Sequence, residues 1–463
     1  MATQIPVDTL AKQLNGQLMT SETPEYDSER RLWNGMIDRR PAIIAKCRNE
    51  DDVISCVRYA RKTGLPVTVR GGGHGFAGKA VAEGGLMIDL SEMRSVTVQP
   101  DTRIASGQGG ARLGDLDQET QKVGLATPAG VDSRTGVGGL TLGGGNGHLA
   151  RRFGLSCDNL IAADVVTAAG ELVRASETEN ADLLWALRGG GGNFGVVTLF
   201  EFQLYPVGPE IMTAQVFYPF EQAAGALRLF RDFFSNAPDE AGGNCVIIRI
   251  PPVPPFPEEH HGNLTVGIIA NYSGDQETGQ QVLQPLAEYG DPILAAIMPM
   301  PYVALQSAFD AGNPDGARYY MKSTYLDELS DDAISTAISC IGNKPGEISA
   351  VMFEVMGGAI NRVDPAATAF PHRSAFCNMG ILGGWIDPAN DEEVINWARA
   401  FHSAMQPFSN GGVYVNYLQG DDGENVDNGA YGQNLERLQR IKAKYDPDNL
   451  FDAHQRIEAR SAG

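Results

Sequence analysis

Four dense runs of glycine, at 71–78, 107–114, 136–147 and 189–195, constrain this chain more than any other feature. Glycine supplies 55 of 463 residues, about 12% against about 7% in ordinary proteins. The runs sit inside otherwise structured sequence, so they do not read as a flexible linker. Backbone without side chains either bends sharply or lets another group approach closely. Several such runs in one stretch point to a large ligand resting on bare backbone.

Three segments match G-x-G-x-x-G/A: Gly73–Gly78, Gly145–Ala150 and Gly190–Gly195. A dinucleotide-binding Rossmann loop needs that pattern between a strand and a long helix. After the first match comes Ala80-Val-Ala-Glu-Gly-Gly, too short and glycine-broken for that helix, and the third match runs straight into a strand pattern. A nicotinamide-binding Rossmann domain is therefore disfavoured. Consecutive backbone N–H groups in glycine turns can instead hold a pyrophosphate without a helix. His74 lies in the middle of the first run, where little neighbouring side chain exists to pack it. An imidazole there is either an ordinary surface or core residue or a nucleophile toward a bound group.

Around these runs the chain alternates short apolar segments with turns. Residues 66–70, 85–89, 159–168 and 195–204 read as strands, and 53–62 as a helix begun by the acidic pair Asp51-Asp52. Residues 1–36 form a polar lead-in, and 37–207 a first unit. From 208 to 410 the texture changes to amphipathic helices (331–342, 391–405) between strands, an α+β arrangement of helices packed on a sheet. In the last segment, 411–463, Val413–Tyr417 alternates like a strand and 432–445 reads as a basic helix. A strand there would send Tyr414 and Tyr417 to opposite faces. Pro251–Pro257 is a rigid loop, placed at the site entrance.

The net charge of −21, from 36 basic and 57 acidic residues, disfavours nucleic acid and anionic membrane as partners. Six cysteines without C-x-x-C spacing read as buried thiols, with no metal site expected. The N-terminus lacks a signal-peptide pattern and no long apolar run occurs, which suggests a cytoplasmic protein.

Five ordered motifs resemble the berberine bridge enzyme-like branch of the vanillyl-alcohol oxidase superfamily. They are Arg70-Gly-Gly-Gly-His-Gly, the segment Gly138–Asn159 beginning Gly-Gly-Leu-Thr-Leu-Gly-Gly-Gly-Asn-Gly-His, Trp185–Gly195, Tyr414-Val-Asn-Tyr417, and Tyr445-Asp-Pro-Asp-Asn-Leu-Phe451. The resemblance spans about 37 to 457. It implies a two-part PCMH-type FAD-binding domain, formed by 37–207 and 411–463, and an α+β substrate domain with an antiparallel sheet covered by helices.

The same resemblance implies FAD attached covalently to His74 as the 8α-histidyl flavin. Flavin contacts carried over in the first loop are Arg70, Gly71, Gly72, Gly73, Gly75 and Gly78. Those in the later loops are Thr135, Gly138, Gly139, Gly144, Asn146, Gly147 and Leu149, followed by Val197, Tyr414 and Asn416. Bicovalent members carry a second link from a cysteine near Thr135. Here Asp132 stands at that position, so no cysteinyl link is expected, and Asp132 either caps a turn or takes part in chemistry. The family reaction oxidises an alcohol, sugar hemiacetal or amine by hydride transfer to flavin N5. Tyr417 is the expected base, with Tyr414 and Glu354 as alternatives. A phenol of reference pKa about 10 needs a nearby cation to act near neutrality, and Lys322, Arg318 and Arg373 are the possible sources. Thr135 is small enough to admit molecular oxygen, which implies an oxidase releasing hydrogen peroxide from a small-molecule substrate. A dehydrogenase using another acceptor, or a non-catalytic relative, are the alternatives.

Overall fold

Among the described residues, short buried strands form four sheets, against which amphipathic helices pack. The computed structural model describes residues 6–342, 344–422, 426–451 and 457–460. The start of the chain and parts of the acidic loop and of the C-terminal segment, which entered the sequence reading, lie outside these. The first sheet orders its strands Gln17–Met19, Ile43–Lys46, Leu86–Asp89 and Val67–Arg70, the last three mutually parallel. Parallel strands need a crossover, which the helix Glu50–Thr63 provides. Asn49 caps it by accepting from the Asp52 N–H at 3.0 Å, and Gly64, at φ +73°, ends it in a conformation open to glycine. The strand Val67–Arg70 therefore delivers His74 from a fixed edge.

The second sheet is antiparallel, in the order Val96–Gln99, Ile104–Gln108, Val196–Gln203, Leu160–Val166 and Leu172–Ser176. Leu435–Tyr445 packs its Leu438 and Ile441 into the same core as Leu183, Leu184 and Phe200. The motif after that helix has a physical basis. Lys442 and Asp446 form a fully buried ion pair at 2.5 Å. Asp446 also accepts the Leu450 and Phe451 N–H groups, and Lys442 donates to the Asn193 carbonyl at 2.7 Å. The C-terminal helix thus clamps the glycine run at 189–195 from behind.

The largest sheet has seven antiparallel strands, in the order Leu294–Pro301, Glu210–Pro219, Leu264–Tyr272, Ala241–Arg249, Ala350–Val355, Cys377–Trp385 and Arg318–Leu326. Side chains alternate across it. Val351, Phe353 and Val355, with Cys377, Met379 and Ile381, lie in one core with Phe230, Leu283, Ile334 and Phe401 of the helices Ala223–Asn236, Gln276–Ala287, Asp331–Ile341 and Asp391–Met405. Met352 and Glu354, one residue out of phase, therefore point away from the helices. The expected α+β architecture, with an antiparallel sheet covered by helices, is what the chain adopts.

One local expectation fails. Val413–Tyr417 is not a strand: Val415–Tyr417 forms a 3₁₀ turn. Such a turn brings residues three apart onto one side, so Tyr414 and Tyr417 come together, ring centroids 4.8 Å apart, instead of facing opposite ways. The expected helix at 432–445 begins as a 3₁₀ turn and becomes α-helical at Leu435. Among the described residues no helix is long and apolar enough to cross a membrane.

Candidate active site

A cavity of about 320 Å³ opens where the glycine loops meet the free face of the seven-stranded sheet. Its floor is backbone: Gly71–Gly73 from one loop, Gly136, Gly138 and Gly139 from a second, Gly191 and Gly192 from a third. The first two loops touch each other. A Cβ on Gly72 would stand 2.3 Å from the Gly136 nitrogen, and a Cβ on Gly136 would stand 2.3 Å from that of Gly72. No other residue permits this approach, which explains why both loops carry glycine at that point.

His74 stands at the rim of the floor. Its ring stacks on Trp33 with centroids 4.2 Å apart and planes 15° from parallel, and Trp33 stacks in turn on Tyr319 at 3.9 Å. Its Nε2 is buried without a hydrogen-bond partner and lies 3.8 Å from Asp132 Oδ2. Burial pulls the imidazole down to about 4, against a smaller upward pull from Asp132, so the ring is neutral at physiological pH. Asp132 does cap a turn: Oδ1 accepts the Arg134 N–H at 3.0 Å, while Oδ2 accepts from its guanidinium at 2.7 Å. Burial works to raise this carboxyl, but the Arg134 hydrogen bonds hold it below the usual range.

Across the cavity stand Tyr417 and Glu354. The Tyr417 hydroxyl donates to Glu354 Oε1 at 2.7 Å, and Asn378, directly opposite on the neighbouring strand, donates to Oε2 at 2.6 Å. Burial pushes the Glu354 carboxyl up to about 7, moderated by those two hydrogen bonds. Burial, with the adjoining Glu354 carboxylate, also raises the Tyr417 phenol well above its ordinary value. The cations expected to lower it are engaged elsewhere. Lys322 pairs with Asp421 and Asp422, Arg318 with Asp391, and Arg373 with Asp158. The expectation of a phenol beside one of these cations is therefore corrected: the Tyr417 hydroxyl instead donates a hydrogen bond to a buried carboxylate.

Tyr414 has a different task. Its hydroxyl accepts the Gly145 N–H at 2.9 Å and the Asn416 side-chain amide at 3.0 Å, and Asn416 also donates to the Leu140 carbonyl. The pair braces the second glycine loop.

Of the sequence-derived residues, Gly71, Gly72, Gly73, His74 and Gly75 line the cavity, as do Asp132, Thr135, Gly138, Gly139 and Asn146. Val197, Tyr414, Asn416, Tyr417 and Glu354 line it as well. Five lie behind the wall. Arg70 donates to the Glu29 carbonyl, Gly78 abuts Ile37, Gly144 abuts Phe370 and Tyr414, and Gly147 abuts the Ala129 carbonyl. Leu149 belongs to an apolar cluster with Ile211, Tyr302 and Leu305. Cys157 is buried with Leu155, Tyr325 and Phe370 rather than on the cavity wall, and Pro251–Pro257 packs Phe256 on Phe217 without reaching the wall. Trp33, Asn313, Met352 and Leu382 line the cavity and escaped sequence reasoning. Trp33 sits in a polar lead-in and the other three in a region without motifs, so nothing in the sequence marked them.

These residues fit a flavin: a bare-backbone floor, an apolar wall that includes Val197, Leu142 and Phe200, and a neutral imidazole with one orphaned nitrogen. Among the described residues no cluster of ligands for a metal ion occurs.

Comparison with known proteins agrees. Residues 41–176 match the family model of an FAD binding domain, and 413–458 the model described as berberine and berberine like. An FAD-linked oxidoreductase of Dictyostelium discoideum is 31% identical, covering 99% of this chain and 97% of its own. The (R)-6-hydroxynicotine oxidase of Paenarthrobacter nicotinovorans is 29% identical over 96% of this chain and 97% of its own. Among solved structures, glucooligosaccharide oxidase from Acremonium strictum, with 6-S-cysteinyl, 8α-N1-histidyl FAD, superposes with a TM-score of 0.87 at 27% identity, covering 98% of this chain and 99% of that one. The chain belongs to the berberine bridge enzyme-like family of FAD-linked oxidoreductases.

Proposed function

We propose that the protein is an oxidase of small, largely apolar molecules, whose FAD is tethered through His74 alone and whose proton acceptor is the Tyr417–Glu354 pair. The observation that carries this reading is the 2.7 Å hydrogen bond from Tyr417 to a buried carboxylate across the cavity from His74. When bound, FAD would supply the hydride-accepting chemistry. The glycine floor, with Val197 and Asn416, holds the cofactor. Tyr417 takes the proton from the substrate's hydroxyl or amine and passes its own to Glu354, which Asn378 keeps in place. General base catalysis of this type contributes about 10²–10⁴-fold. With a pKa of about 7, Glu354 is poised for the exchange near neutrality.

Asp132 at the position of the second attachment residue, and Cys157 buried off the cavity wall, support a single histidyl link. The small side chain of Thr135 on the cavity wall supports access for molecular oxygen, and with it an oxidase that releases hydrogen peroxide. The substrate side of the cavity favours apolar molecules. The sheet face over it presents Met352 and Leu382 beside Glu354, with Phe76 and Met321 in the same apolar cluster. A sugar chain needs many hydrogen-bonding partners, since unpaired hydroxyls are costly to bury. An aromatic or aliphatic alcohol or amine suits this wall better than an oligosaccharide. A peroxide-coupled screen of aromatic alcohols, cyclic amines and oligosaccharides tests the reading. Peroxide formed only with oligosaccharides overturns the substrate class, and air-stable reduced enzyme overturns the oxidase.

A further inference from the structure

We propose that Asp132 is the positioning residue for flavin attachment: it fixes the tautomer of His74 and takes up the imidazole's charge and proton as the ring bonds to the cofactor. The inference rests on the His74 attachment proposed above. A turn cap requires only Oδ1, which an asparagine or serine supplies equally well. Oδ2 is the atom left unexplained by the cap: it is bound to the Arg134 guanidinium and faces the orphaned Nε2 of His74 at 3.8 Å. A neutral imidazole has one N–H, and a carboxylate only accepts. The N–H therefore belongs on Nε2, directed at Asp132, and the lone pair is left on Nδ1. The Asp–His pair of serine proteases orients its ring in the same way.

The chemistry requires this carboxylate. A bond forms between Nδ1 and the 8α carbon of the flavin, while one C–H bond of the 8α methyl and the Nε2–H bond break. Two electrons pass to the flavin, and molecular oxygen then removes them with two protons. Methyl flavin, imidazole and oxygen thus give histidyl flavin and hydrogen peroxide. Before the Nε2 proton leaves, the ring is an imidazolium, and this site opposes one. Burial holds the free ring's pKa near 4, and Arg134 and Arg112 oppose the charge further. The groups that favour it are Asp132 and the more distant Asp315, with the Trp33 face 4.2 Å away as a cation–π partner. Arg134 is itself held in place by the Asn313 carbonyl at 2.9 Å, so the carboxylate is locked toward His74.

The test follows covalent flavin on denaturing gels, and separately total flavin in the native protein, after adding FAD to the apoprotein. Wild type should retain its flavin on denaturation; loss of that flavin refutes the His74 attachment itself. Asp132→Asn, which keeps the turn acceptor, should bind FAD natively but attach it at least about 100-fold more slowly. Asp132→Glu should recover part of that rate, with attachment rising as pH deprotonates the carboxyl. Should Asp132→Asn not fold, Asp132→Glu and Asp132→Ser are compared instead, and only the glutamate variant should attach flavin efficiently. Equal attachment in charged and uncharged variants, in a wild type that does carry covalent flavin, overturns the inference.

Discussion

Replacing Glu354 by glutamine probes the proposed proton path with little change of shape. The carboxyl is held at about 7 by burial, against a reference of 4.5. That difference corresponds to about 3 kcal/mol. In wild type the base is ionised above about 7 and protonated below it, so kcat should fall on the acid side, approaching tenfold per pH unit. Glu354→Gln should lower kcat by about 10²–10⁴-fold and remove that acid limb. Stability should move the other way. The native carboxyl holds its proton at pH values where the unfolded one has lost it, so native stability declines between about pH 4.5 and 7 and then levels off. The glutamine variant lacks that decline and should be more stable than wild type at pH 8, by up to about 3 kcal/mol in urea titration. Tyr417→Phe, which cuts the relay but leaves Glu354 buried, should lose comparable activity without that gain. A Glu354→Gln enzyme with near-wild-type kcat and an acid limb still near 7 refutes the reasoning.

Two further substitutions test the scaffold. Gly72→Ala would place a methyl 2.3 Å from the Gly136 nitrogen. Forcing the loops apart should cost about 1–3 kcal/mol and reduce flavin content, measured as the ratio of flavin to protein absorbance. Lys442→Met leaves Asp446 buried without its cation under the glycine run at 189–195, and should destabilise by about 3–5 kcal/mol in urea denaturation.

The family and the glycine floor were legible because those glycine positions carry backbone requirements that only one residue type meets. Gly72 and Gly136 are the plainest case: the contact between them excludes any side chain. Strands and helices with a strong apolar pattern also read correctly, since the apolar runs at 66–70 and 85–89 and the helical spacing at 391–405 express burial directly. The Tyr414–Tyr417 segment misled because alternating apolar residues fit both a strand and a 3₁₀ turn, and only packing against the loop at 140–145 selects the turn. Arg318, Lys322 and Arg373 could not be assigned from sequence, because their acidic partners lie between 73 and 215 residues away along the chain. Glu354 was named only as an alternative base. Its partner Asn378 is set by strand register, which no local pattern encodes.

His74 as the sole tether of the cofactor is the central proposal to test. Purified wild type and His74→Ala should be denatured, separated from free flavin, and digested for peptide mass mapping. Flavin fluorescence should stay with the wild-type chain, with a flavinylated peptide containing His74, an unmodified Cys157 peptide, and free flavin from His74→Ala. Flavin released from denatured wild type, or found on a peptide other than that of His74, would contradict the proposal.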